Sequence, residues 1–301
     1  MYWFKNAIIY RLTSKIDFSN IEDALQQCKF IECESQQATK LGWSAPLCTS
    51  EQLHYQANGH ILLASHKEEK ILPSHVIKRE MDNRIKELEE KAQRKLKKTE
   101  KLSIKDDVVA ILLPRAFSKH QFTALWIDIK NQLIYVDSSS AKRAEDTLAL
   151  LRESLGSLPV VPISFTLQPS EVMTGWLKDN NVPEWLTLLD DGKLKSSETH
   201  SQATFKHQDL ESDEIIQHVQ AGKLVTSLAL EWENHLKFTL NEDGTLSRLK
   251  FSDEIREKND DISKEDIAQR FDADFFLMTA ELGELLEKLS AEFGNIRQNG
   301  E

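Results

Sequence analysis

The sequence predicts an α+β protein with a helical insertion. Three observations carry this. Short β-rich runs alternate with amphipathic stretches from residue 3 to 168, in the order β-α-β, insert, β-β-α-β. Residues 74–113 interrupt that order with a long helical pattern. Three further β-rich runs and several helical segments follow in the second half. We expect a mixed central part at 1–73 and 122–168, a helical tip at 74–121 and a C-terminal α+β base at 169–301.

The elements follow in order. Residues 3–12 alternate as a first strand, and "SNIED" marks a helix start with Ser19 and Glu22 at capping-box spacing. "GHILLAS" reads as a strand and "KEEKILPS" as a charged connector ending at Pro73. Ile77, Met81, Ile85, Leu88, Ala92 and Leu96 then form one apolar stripe with no internal Gly or Pro, which predicts a single helix of about 25 residues. Ser103 and Asp106 mark a second helix, which stops at Pro114. "FTALWIDIKNQLIYVDS" is a hairpin around Lys130-Asn131-Gln132, and "SAKRAEDTLALLRESLG" a helix closed by Gly156. "LPVVPISFTL" is an edge strand because of Pro159 and Pro162. Residues 180–205 read as polar loops. "SDEIIQHVQAG" is a helix. "KLVTSLALEW", "HLKFTL" and "GTLSRLKF" are strands with a turn at Asn241–Gly244. "SKED", from Ser263 to Asp266, is another capping box, and two helices close the chain.

The bulk composition excludes several classes. No run of about 18 uncharged apolar residues occurs, so no membrane helix is predicted. The start resembles a strand and not a signal peptide. Cys28, Cys33 and Cys48 are odd in number and lack CxxC spacing, which points to free thiols and a cytoplasmic setting. A metal site built from them and His54 is the weaker reading. No GxGxxG, P-loop, HExxH or GxSxG motif occurs, and 10 glycines are too few for phosphate-cradling loops. No cofactor and no catalytic residue is assigned.

Charge is unevenly spread. The whole chain is at -11, and residues 206–301 hold 11 basic and 22 acidic side chains. Residues 91–105 go the other way, with seven Lys or Arg and one Glu. On a continuous helix Lys91, Arg94, Lys95, Lys98, Lys101 and Lys105 share a face about 120° wide. A charge run is ordinarily a solvated face. Here only Glu100 offers compensation beyond residue 90, so mutual repulsion favours a polyanion partner. Such a row suits phosphates and not base edges. Phe117, between Arg115 and Lys119, is expected on a loop at the end of the helical projection, where it either packs in its own core or docks on a partner subunit or a base. Asp260, Asp261, Asp266, Asp272 and Asp274 are candidates for a Mg²⁺ nuclease site. The competing reading is helix-end acids, Asp260, Asp261 and Asp266 at one N-terminus and Asp272 and Asp274 capping the next helix. A protein-interaction scaffold is the third alternative.

"WFKN", "KEEKILPS", "RKLKKTEK", "LLPRAFS", "AEDTLALLRESLGSLPVVP", "GKLVTSLAL", "LKF" and "AQRFDADFFLMT" span nearly the full length. In these strings and their order the chain resembles the recombination-associated protein RdgC family of proteobacteria. The resemblance implies a homodimer closed into a ring, tip to tip and base to base, around a basic hole that holds duplex DNA. It implies binding without sequence preference, antagonism of RecA-promoted recombination and association with the nucleoid. Single- versus double-strand preference stays open. It assigns Lys91, Arg94, Lys95, Lys97, Lys98 and Lys101, with Lys206 and Gln208 of the base, to DNA. It assigns Arg115, Phe117 and Lys119 to the dimer contact or gate. Family members often carry basic residues before Gln208, where this chain has Lys206 and His207.

Overall fold

The computed structural model describes residues 3–263 and 265–297. It is a mixed α+β fold with two antiparallel sheets. The first sheet contains β1 (Ile8–Leu12), β2 (Thr39–Ser44), β3 (His54–Ala57), β4 (His60–Lys70), β5 (Ser118–Asp128), β6 (Leu133–Val136) and β7 (Val160–Pro162). Its order is β2-β4-β5-β6-β1-β7, with β3 pairing β4 beside β2. The second sheet has the order β12-β11-β10-β8-β9, from β8 (Thr187–Ser196), β9 (Gln202–Phe205), β10 (Lys223–Trp232), β11 (Leu236–Asn241) and β12 (Leu246–Phe251). The helices are α1 (Ile21–Gln26), α2 (Ser74–Ala92), α3 (Lys98–Leu112), α4 (Ala141–Leu155), α5 (Pro169–Asp179), α6 (Asp213–Gln220), α7 (Asp253–Glu257) and α8 (Ile267–Glu292).

The runs in the first sheet are apolar at successive positions because both of its faces are covered. On one face Ile8, Tyr10, Ile61, Leu63, Leu125, Ile127, Ile134 and Val136 pack with Leu25 of α1 and Leu148 and Leu151 of α4. Their neighbours Ile9, Leu62, Ala124, Trp126, Leu133 and Tyr135 point the other way. There they join a larger cluster that includes Phe275, Met278, Leu282 and Leu289 of α8 and Leu228, Leu230 and Phe238 of the second sheet. The α8 helix also reaches the second sheet through polar contacts. Glu281 Oε2 lies 2.6 Å from His235 Nδ1, and Lys288 Nζ sits 5.5 Å from the ring centres of both Trp185 and Trp232. A short backbone bridge, Ala7 to Leu246, joins the two sheets directly.

Several expectations change. "KEEK" is not a connector: β4 runs on to Lys70 and stays paired with β5 to Ser118. Glu69 is exposed there and Lys67 and Lys70 are half-buried, while the buried Glu68 is satisfied by hydrogen bonds from Ser118 and Cys33. Within the segment 180–205, read as loops, Thr187–Ser196 and Gln202–Phe205 are strands β8 and β9, and only the residues around them are irregular. A register shift opposite Leu228 and Leu230 breaks the two-residue period around Asp190-Asp191, which hides the strand in the sequence. Strands β2 and β3 and helix α5 were not anticipated. Gly42 in β2 lets the chain at Cys28–Phe30 lie against it, since a Cβ there meets the Phe30 backbone at 2.5 Å. The Ser19 cap does not form. Asn20 precedes α1, and Glu22 instead accepts hydrogen bonds from Gln26 and the Leu53 N–H and meets His54 Nδ1 at 2.6 Å. Past "SKED", whose Lys264 lies outside the described residues, one continuous helix follows, not two. Asp266 caps it by accepting the Gln269 N–H at 3.0 Å.

Among the anticipated elements, Ser140 caps α4, and Gly156 at φ 75° ends it. The edge position of the proline-flanked β7 and the Asn241–Gly244 turn between β11 and β12 are also as expected.

Because α8 seals one face of the first sheet and touches the second, truncating it should weaken both. Leu282→Ala, at a fully buried site, is expected to cost about 3 kcal/mol. Thermal unfolding followed by far-UV and near-UV circular dichroism should remain one transition at lower temperature. Two separated transitions would contradict a shared core.

Candidate nucleic-acid interface

The basic stretch does not lie on one helix. The α2 helix ends at Ala92, Gln93 turns into the left-handed region at φ 51°, and α3 begins at Lys98. No glycine or proline causes the stop. The Gln93 side-chain amide donates to the Glu90 carbonyl at 2.8 Å, satisfying a terminal acceptor of α2. Glu100, three residues into α3, accepts the Lys97 N–H at 2.7 Å and starts the second helix. The predicted start at Ser103 is therefore five residues late. Crowded cations disfavour a continuous helix, whereas a turn spreads them. Lys91 stands in the last turn of α2, Arg94, Lys95 and Lys97 on the turn, and Lys98, Lys101 and Lys105 on α3.

The cations are also better compensated than the sequence predicts. Arg94 donates twice to Glu100, at 2.9 and 2.6 Å. Lys95 Nζ donates to Glu89 Oε2 at 2.8 Å, and Lys101 Nζ lies 3.6 Å from Glu89 Oε1. The Leu96 N–H donates to the same carboxylate at 3.0 Å. Hydrogen bonds from Arg94 and Lys97 hold the Glu100 carboxyl at about 2, well below its usual range. The Lys95 ammonium, followed by the Leu96 N–H, lowers that of Glu89. Glu89 was missed because it stands six residues before Lys95, outside the i,i+4 rule, and only the turn brings the two together. Lys91, Lys97 and Lys98 are exposed, and no ion pair engages them among the described residues.

The helical pair is thinly packed. No residue of α2 is buried, and α3 buries only Ile104 and Val108. Ile71, Leu88, Leu102, Ile111, Phe117 and Phe122 are all exposed. Phe117 is 85% exposed, which removes the reading that it packs into its own core. It does not stand at the far end of the excursion. It lies at the root, between the 3-10 turn Leu113–Arg115 and β5, where its carbonyl accepts the Ile71 N–H at 2.8 Å. Nineteen residues of α2 span roughly 28 Å, so Phe117 and the basic turn occupy opposite ends. Arg115 and Lys119 are exposed beside Phe117.

Glu68 anchors that root. It accepts the Ser118 hydroxyl at 2.5 Å and the Cys33 N–H at 2.6 Å, and these bonds hold its carboxyl at about 2.

The base residues have acidic company. Gln208 donates its side-chain amide to Glu214 at 2.9 Å and its N–H to the Asp190 carbonyl at 3.1 Å. The His207 N–H donates to Asp191 at 3.3 Å, and Asp191 also holds Arg248 at 2.8 Å. Lys206 is exposed alongside.

Four of the five acids in the acidic cluster have partners within the fold, while Asp261 is exposed. Asp260 pairs with Arg270 at 2.6 Å, and Asp266 caps α8. Asp272 accepts the Tyr55 hydroxyl, and buried Asp274 accepts the Asn259 amide at 2.9 Å. Asp272 and Asp274 lie inside α8 and cap nothing. No three His, Cys, Asp or Glu side chains converge on a metal position among the described residues. No described helix is long and apolar enough to cross a membrane. Cys28, Cys33 and Cys48 are free thiols.

A family model described as "Putative exonuclease, RdgC" matches residues 2–296. The chain belongs to the RdgC family. Relatives named "Recombination-associated protein RdgC" align over nearly their whole length. The protein of Actinobacillus pleuropneumoniae serotype 3 is 62% identical over 300 residues, covering 99% of each chain. That of Mannheimia succiniciproducens is 60% identical, with 98% of each chain covered. That of Haemophilus influenzae strain Rd is 55% identical, over 97% of this chain and 98% of its own. The relatives' names mention no catalysis, so the exonuclease description stands alone among these RdgC labels.

The Glu68 anchor gives a pH prediction. A carboxyl held below its unfolded value contributes stability that is complete above about pH 4.5 and fades as pH falls towards 2. Melting temperatures of the wild type and Glu68→Gln should differ at neutral pH and converge near pH 2. A gap independent of pH would show that the charge of Glu68 is not what matters.

Proposed function

We propose that this RdgC-family chain is a non-enzymatic protein that binds DNA without sequence preference. It acts as a ring-shaped homodimer around the duplex and restrains RecA-promoted recombination in the cytoplasm, at the nucleoid. The observation that carries the DNA part is the exposed turn bearing Lys91, Lys97 and Lys98, cationic in a chain of net charge -11. Ammonium groups that contact phosphates carry no sequence information. An acidic exterior around a basic hole would direct DNA inward. The domain division into central part, tip (74–121) and base (169–301) belongs to the same reading.

The exposed apolar residues of the excursion support a homodimer contact there, with Phe117 as its anchor and Arg115 and Lys119 as its polar rim. The gate is placed at this contact because a thinly packed pair of helices opens more readily than a shared core. Lys206 and Gln208 are weaker DNA candidates, since Gln208 is engaged by Glu214 and the surrounding loop is acidic. The nuclease alternative is not favoured, because Asp260, Asp266, Asp272 and Asp274 are engaged by Arg270, the α8 cap, Tyr55 and Asn259, and no three such side chains converge on a metal position among the described residues. The scaffold alternative predicts no DNA shift at low salt.

Replacing Lys91, Lys97 and Lys98 with Glu should weaken binding equally for duplexes of different sequence. It should flatten the plot of log affinity against log salt by about 0.9 per lost phosphate contact. An unchanged slope would reject the turn as a phosphate site. Phe117→Ala should reduce retention on circular DNA more than affinity for a short linear duplex. Equal losses on both would remove Phe117 from the gate.

A further inference from the structure

Three donors converge on one carboxylate at the basic turn. Lys95 Nζ is 2.8 Å from Glu89 Oε2, Lys101 Nζ is 3.6 Å from Oε1, and the Leu96 N–H is 3.0 Å from Oε1. Two ammonium groups and a backbone N–H around a pair of oxygens are the donor set that binds a phosphodiester. The carboxylate is only 14% exposed, whereas Lys95 is 91% exposed, so the acid sits beneath the cations. A shallow groove of about 530 Å³ opens beside it, bordered by Lys86, Glu89, Glu90, Gln93, Arg94 and Lys95. An external anion can approach from there.

Glu100 is arranged differently. It is the third residue of α3 and accepts the Lys97 N–H, so its carboxylate is part of how that helix begins. Glu89 starts no helix. It reaches forward from α2 over the turn, and the groups it binds all lie beyond the end of its own helix.

We propose that this is an anion site filled from within: Glu89 occupies the place of a DNA phosphate and thereby sets how much charge the turn offers to DNA. The inference rests on the DNA-binding reading above and adds a residue that tunes it. While Glu89 occupies Lys95 and Lys101, the two ammonium groups make no phosphate contact and release no counterions from DNA. These two lysines therefore add nothing to the salt dependence of binding while Glu89 is present. The measurable contacts of the turn come from Lys91, Lys97 and Lys98. The lowered Glu89 carboxyl keeps the site filled across the neutral range. Such a device moderates affinity, which suits a protein that must leave DNA as well as hold it.

The test is a cycle of full-length variants titrated with a fluorescein-labelled 30-base-pair duplex over a range of KCl concentrations. Glu89→Gln keeps an acceptor for the Leu96 N–H but removes the charge. It should bind on the order of tenfold tighter or more near 0.1 M salt, with a slope steeper by up to about 1.8, or about 0.9 for each freed lysine. Lys95→Gln with Lys101→Gln should leave the slope unchanged in the wild-type background and abolish the gain in the Glu89→Gln background. Weaker or unaltered binding by Glu89→Gln would overturn the proposal. So would a slope that flattens when the two lysines are removed with Glu89 intact, a comparison that does not depend on the Glu89→Gln protein folding. Absence of any salt-dependent binding by the wild type would instead reject DNA binding itself, and the Glu89 role with it.

Discussion

The rest of the molecule depends on the antiparallel pairing of β4 with β5. Eleven residue pairs run in unbroken register from His60–Asp128 to Lys70–Ser118. The inner end is buried on both faces, so a one-residue slip would send Leu62, Leu63, Trp126 and Ile127 to the wrong clusters. The outer end has no core to set its register and inherits it along the ribbon. There the ribbon delivers Lys70 and Ser118 side by side, and the two-helix excursion springs from that point. The position of α2 and α3 is thus fixed by packing some ten residues away, with Glu68 fastening the junction to Ser118 and the Cys33 segment.

Electrostatics at the far end of the excursion is a matter of short-range pairing and not of a bare charged face. Two carboxylates, Glu89 and Glu100, hold Arg94, Lys95 and Lys101 together and shape the turn. Pairs this exposed add little stability. Their effect is to decide which cations remain for a partner.

Much of the fold was readable where burial leaves a strong imprint. The doubly buried strands, the α4 helix with its Gly156 end, and the β10–β12 meander carry period, capping and turn signals together. The misses share a physical cause. Thr39–Ser44 and His54–Ala57 lie outside the central strands, are short and mix polar with apolar residues. The β8 strand carries a bulge. The outer half of β4 carries charged residues that find partners in Ser118, the Cys33 N–H and Asp146, so it lacks the apolar imprint of a core strand. At the site, the basic residues were identified, but their geometry was not. The apolar stripe from Ile77 to Leu96 suggested one helix, and nothing in its spacing reveals that Gln93 bends left or that Glu89 folds forward. Those features depend on contacts across a turn, which neither helical nor strand periodicity encodes.

The placement of α8 has a consequence for how the chain is made. Phe4 donates its backbone N–H to the sulfur of Met278, 274 residues later. The first sheet is complete in sequence once β7 is synthesised, and α1 and α4 can then cover one of its faces. Ile9, Leu62, Trp126 and Tyr135 on the other face wait for residues 267–292. On the ribosome the N-terminal half is therefore an amphipathic layer with one dry and one sticky side through the synthesis of more than 100 further residues. During that interval it depends on whatever shields apolar surface from neighbouring nascent chains, and only its own C-terminal helix ends the dependence.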